Sequence, residues 1–129
     1  MKTNGNRKQA TAPRKAANSP TEGVLDRLFI WLDTSLVRQT AGELARECHV
    51  ALWEATCERV AQMSREEARG YIRTFAPEFL IREVDPVLQR RRVRESLRLR
   101  ILTEATDQVV ELVLKDVQRA KSRRVARAA

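Results

Sequence analysis

Apolar residues recur at intervals of three and four along most of the chain, a pattern that predicts a series of amphipathic helices. Leu25, Leu28, Phe29, Leu32 and Leu36 fall on one face, so a first helix is expected to about Val37. Its start carries Ser19, Pro20 and Glu22, which together read as a capping box with proline in the first turn. A second helix is expected over about 41–63. There Ala41, Leu44, Ala45, Cys48, Leu52, Ala55 and Met63 share one arc, with Glu43, Glu47, Glu54 and Glu58 on the opposite side. Arg59 falls inside the apolar arc and is expected to snorkel or to meet a carboxylate.

Ser64 and Glu67 form another capping box and open a third helix, with Ala68, Tyr71, Ile72 and Phe75 on its stripe. Pro77 is expected to interrupt it, leaving a short turn that presents Phe79, Leu80 and Val84. Asp85 and Pro86 then start a last helix, expected to run unbroken beyond Val117. Its half around 109–117 is apolar on more than one side, which suits the centre of a bundle or an oligomer interface. The fold class read from the pattern is all-α, a small bundle of four to five helices ending in one long helix. The helical domain is expected over 19–118, with disordered basic tails at 1–18 and 119–129.

Composition agrees with that class. The 129 residues are 43% apolar and 33% charged, with four Gly and four Pro, too few turn-formers for an all-β or doubly wound fold. No apolar run is long enough to span a bilayer, so no membrane association is expected.

Charge changes the picture more. The formal net charge is +8, but residues 1–21 hold five cations and no acid, and residues 115–129 hold six cations and one acid. Residues 22–114 contain 14 Arg, no Lys and 16 acids, so the centre of the chain is slightly acidic. Within it "QRRRVRESLRLR", residues 89–100, is the exception, with six Arg and one Glu. Basic arms around a folded centre are a common signature of nucleic-acid association.

Catalytic chemistry finds little footing. His49 is the one histidine and has no recognisable nucleophile or carboxylate arrangement around it, so no enzyme activity is expected. Cys48 and Cys57, nine residues apart, point to opposite sides of a helix and read as reduced, intracellular thiols, which favours a cytoplasmic protein. The Glu stripe lacks the Glu-x-x-His pairing of carboxylate-bridged metal sites, because Arg46 stands three residues before His49. No cofactor and no metal are expected.

One stretch bears on DNA directly. Residues 42–51 contain "GELAR" followed by Val50, and resemble the opening of the helix-turn-helix in MerR-like regulators. Leu44, Ala45, Cys48 and Val50 fill apolar or small sites of that motif. The resemblance implies DNA binding by these ten residues. The turn position, normally glycine, is His49, and the later Val or Ile position is Ala55. One continuous amphipathic helix accounts for the same residues.

The leading expectation is a nucleic-acid-associated helical protein that grips the phosphate backbone of DNA or RNA. On an unbroken last helix Arg90, Arg91, Arg94 and Arg98 lie within about 100° of arc and form one stripe. Guanidinium forks suit phosphate, and Lys121, Arg123 and Arg124 of the basic tail would add contacts. The competing expectation is a structural or interaction subunit, in which the Arg-rich helix pairs with an acidic protein surface such as the Glu43–Glu58 stripe. A homo-oligomer through 101–117 is expected in either case.

Overall fold

The computed structural model describes residues 20–128, with side chains described from Gly23. The expected tail 1–18 and the Ser19–Glu22 capping box lie outside the described side chains. Among the described residues the chain is all-helical, as the pattern predicts, with three α-helices and no strand. α1 is Pro20–Val60, α2 is Arg65–Arg91 and α3 is Arg98–Ala128, with a short 3-10 turn at Glu95–Leu97 before α3.

Two compact units divide the chain, Met1–Ser35 and Leu36–Ala129. In the first, residues 23–32 are helical and every one of them is exposed. The second is a three-helix bundle with one continuous core. Val37, Ala41, Leu44, Ala45, Cys48, Leu52 and Val60 of α1 enter it along one face, mostly at steps of three and four. α2 contributes an unbroken row at every fourth residue, Ala68, Ile72, Ala76, Leu80, Val84 and Leu88. α3 supplies Ile101, Ala105, Val109, Val110, Val113 and Val117. Alanines in all three rows let the helices approach closely enough for the larger aliphatic side chains to interdigitate.

Several expected boundaries are corrected. The first two helices are one, because residues 37–41 hold neither proline nor a left-handed turn and carry the buried Val37, Thr40 and Ala41. A helix-turn-helix over 42–55 is excluded by the same continuity. Pro77 and Pro86 both lie inside α2 without ending it. Both are exposed, so the carbonyls they leave unbonded face water, while the row from Ala68 to Leu88 stays buried. Three helices therefore replace the expected four to five. Residues 119–128, expected as a disordered tail, continue α3 as helix. Arg59 lies on the exposed side of α1, in its last turn.

The Ser64 and Glu67 capping box forms as expected: the Ser64 hydroxyl accepts from the Glu67 N–H at 3.2 Å, and the Glu67 carboxylate accepts from the Ser64 N–H at 3.5 Å.

The largest departure is at Arg92. The last helix does not run from Pro86 past Val117; α2 ends at Arg91, and Arg92 takes the left-handed conformation with φ 54° and ψ 46°. The Arg92 N–H donates to the Gln89 carbonyl and the Val93 N–H to the Leu88 carbonyl, the paired bonds of a Schellman motif. Val93 packs on the core near the buried Leu88, which supplies the apolar contact such ends use. An L-residue in this conformation costs about 1 kcal/mol that glycine does not. Arg92→Gly is therefore expected to raise stability by about 0.5–1 kcal/mol in a denaturant titration, with helix content unchanged.

The 101–117 segment also reads differently in three dimensions. Ile101, Ala105, Val109, Val110, Val113, Leu114 and Val117 are buried in the chain's own core, and Leu102 and Leu112 are partly covered by it. Its apolar character is satisfied within one molecule.

Candidate nucleic-acid interface

The break at Arg92 decides the geometry of the arginine segment. Arg90 and Arg91 sit in the last turn of α2, where positive charge complements the helix dipole. Arg94 belongs to the link and Arg98 is the first residue of α3. The stripe expected from one unbroken helix does not form, so these four guanidinium groups do not share a helix face.

Most of them meet carboxylates instead. Arg90 donates to Glu47 and, at 3.4 Å, to Glu43. The Arg91 Nε lies 3.4 Å from the same Glu43 carboxylate and is buried without a hydrogen-bond partner. Arg98 bridges Asp85, inside α2, and Glu95 in the link. Arg94 donates to the Ser96 hydroxyl at 3.1 Å. For Arg90, partial desolvation lowers the pKa, but the Glu47 charge and the hydrogen bonds to Glu43 and Glu47 outweigh it and hold the group above its ordinary value. Hydrogen bonds that Arg98 donates to Glu95 and then to Asp85 hold its guanidinium well above its ordinary value as well. The half of the Glu stripe nearest α2 is thus the counterpart of the arginines, joining α1 to α2. Glu54 and Glu58 stay exposed.

Ion pairs also join the other helices. Arg69 meets Glu111, Arg73 meets Asp107 at 2.8 Å, and His49 of α1 pairs with Asp116 of α3, both partly buried. The single histidine therefore has a structural partner. Among the described residues no group of three His, Cys, Asp or Glu converges as a metal ion would require, and no helix is long and apolar enough to cross a membrane.

A different cationic surface emerges at the end of α3. Because the helix continues to Ala128, Lys115, Arg119, Arg123 and Arg127 follow one another at every fourth residue and are all exposed. The row covers about 18 Å along the axis and drifts by about 120° around it. Arg119 lies 3.6 Å from Asp116, a loose pair in an arginine that is 69% exposed. Of the residues expected from sequence, Arg123 lies in this row and Arg124 beside it, and Lys121 turns its ammonium to the Met63 carbonyl at 3.3 Å. Lys115, Arg119 and Arg127 were missed, although their four-residue spacing is written in the sequence. The signal is lost once the helix is assumed to stop near Val117.

Between the end of α1 and this part of α3 lies a groove of about 430 Å³, lined by Trp53, Cys57, Ala61, Val117, Lys121 and Arg124 among others. Cys57 is half-buried at its wall, whereas Cys48 is buried in the core with its thiol 3.4 Å from the Phe79 carbonyl. Desolvation, helped by Glu83 and Glu47, pushes the Cys48 thiol up to about 11. Since the thiolate is the reactive form, one cysteine, Cys57, is expected to react with an aromatic disulfide reagent near neutral pH in the folded protein. Cys48 is expected to react only after unfolding, and Cys57→Ser should remove the native signal.

No protein family, curated protein or solved structure matches this chain in comparison.

Proposed function

We propose that this protein is a non-catalytic helical module that binds nucleic acid through the phosphate backbone, with the basic end of α3 as its grip. The observation that supports this reading is the exposed row Lys115, Arg119, Arg123 and Arg127, with Arg124 beside it. Cations on one rigid helix meet successive phosphates without the ordering cost of a flexible tail. The row contains no aromatic side chain to stack on bases, so the binding is expected to be independent of base sequence. Free thiols at Cys48 and Cys57 fit a reducing cytoplasm as the place of action.

The second reading, a structural role for the arginines, has its own support in the 90–98 segment. Arg90, Arg91 and Arg98 already face Glu43, Glu47, Asp85 and Glu95 of the same chain. A phosphate would have to displace these carboxylates, so within the proposal Arg90, Arg91 and Arg98 organise the fold and contribute little to the grip.

The test is fluorescence anisotropy with labelled duplex and single-stranded oligonucleotides of arbitrary sequence. Arg119/Arg123/Arg127→Ala is expected to remove most binding at moderate salt. Arg90/Arg91/Arg98→Ala is expected to leave binding in place and to lower the melting temperature. The opposite pattern returns the site to the arginine segment, and loss of all binding on deleting residues 1–18 alone rejects the α3 surface.

A further inference from the structure

The first described turns of α1 carry an apolar surface that no described residue of their own unit covers. Val24, Leu25, Leu28, Phe29, Ile30, Trp31 and Leu32 are each 46–66% exposed. All but Ile30 lie within about 160° of helix arc. Those six present roughly 600 Å² of apolar surface, at the top of what a monomer normally exposes and most of the roughly 800 Å² that each partner gives a standard interface. We infer that residues 24–32 are a self-association surface, and that the occupant is the same segment of a second copy of this chain.

Charge favours that occupant. Residues 23–35 hold Asp26, Asp33 and Arg27, nearly neutral with a slight negative excess, so a phosphate backbone or an anionic lipid surface gains nothing there. Two copies carry no such penalty against each other. The pairing is antiparallel. A parallel pair would bring together two segments 1–21, each with five cations and no acid, and would align the helix dipoles.

The spacing supplies a self-complementary register. Leu25, Leu28, Leu32 and Ser35 follow the three-and-four seam, and an antiparallel two-fold centred on position 30 sets Leu28 against Leu32 of the other copy and Leu25 against Ser35. Val24, Phe29 and Trp31 flank this seam on both sides and widen the contact, while Ile30 faces outward. The oligomer contact thus moves from 101–117, which the core consumes, to the start of α1.

The test is sedimentation equilibrium of the full chain at micromolar concentrations, with Leu28→Lys/Leu32→Lys as the variant. Wild type is expected at twice the 14.8 kDa chain mass, and the variant at 14.8 kDa with the same denaturation midpoint for the bundle. Because both leucines are exposed, misfolding of the variant is not expected, and far-UV circular dichroism checks it. A wild type at 14.8 kDa throughout this range overturns the inference, as does a variant that keeps the wild-type mass. Binding of a monomeric wild type to phosphatidylcholine vesicles would assign the face to lipid instead and equally overturn it. None of these readouts depends on nucleic-acid binding, so the two proposals stand or fall separately.

Discussion

Leu80→Ala is expected to lower the unfolding free energy by about 3 kcal/mol, whereas Ile81→Ala, one residue further on, should stay within about 0.5 kcal/mol of wild type. Both replacements improve intrinsic helix propensity, so propensity cannot explain the difference. Leu80 is 0% exposed, at the middle of the buried row from Ala68 to Leu88, while Ile81 is 60% exposed. Removing the Leu80 branches leaves a cavity that Ala76 and Val84, its row neighbours, cannot fill without moving α2. That helix already lacks two backbone hydrogen bonds, at Pro77 and Pro86, and holds its course through this row. A domain of this size has roughly 5–15 kcal/mol in total, so the loss should appear as a clear shift in the midpoint of a urea titration. Equal effects from the two substitutions would mean that the row is not the core of α2.

That same row shows what the sequence makes legible. Ala68, Ile72, Ala76, Leu80, Val84 and Leu88 stand at every fourth position through both prolines, yet the prolines outweigh that spacing in the expectation, which ends the helix at Pro77 and begins another at Pro86. A proline breaks a helix when the freed carbonyl is buried, and exposure of Pro77 and Pro86 is a tertiary property that the local pattern does not contain. The capping box at Ser64 was legible because both partners lie within four residues of each other.

The end of α2 was hidden for the opposite reason. Helices commonly close on a left-handed glycine, and position 92 is an arginine inside a run of arginines. Nothing local distinguishes it from Arg91. What stops the helix there is Val93 turning onto the core while Leu97 and Ile101 begin the next buried row, a requirement set by α3 packing back along α2. The candidate site followed these errors directly. Drawn as one helix, the arginines form a phosphate stripe; with the break in place they face Glu43, Glu47, Asp85 and Glu95. The reverse holds at the other end, where ending α3 near Val117 scatters cations that the helix in fact aligns.

The salt dependence of binding gives the largest effect expected of any functional measurement on this protein. Each phosphate neutralised releases counterion, so the logarithm of affinity falls with the logarithm of salt by about 0.9 per contact on duplex DNA and about 0.7 on single strands. Four contacts from Lys115, Arg119, Arg123 and Arg127 would weaken duplex binding by about 100-fold between 50 and 200 mM salt. With Arg119, Arg123 and Arg127 replaced by alanine the slope is expected to become shallower by about 2.7, and duplex affinity at low salt to drop by one to two orders of magnitude. Cations of residues 1–18 add the same increment to both proteins and cancel in the difference. Helix content should hold, because all three side chains are exposed and alanine is the better helix former. Replacing Arg90, Arg91 and Arg98 should leave the slope nearly unchanged, since their charge is already balanced by carboxylates within the chain. A slope that responds to those three and ignores the α3 row would place the phosphate contacts on the segment between α2 and α3, and the acids around it would then have to release their arginines on binding.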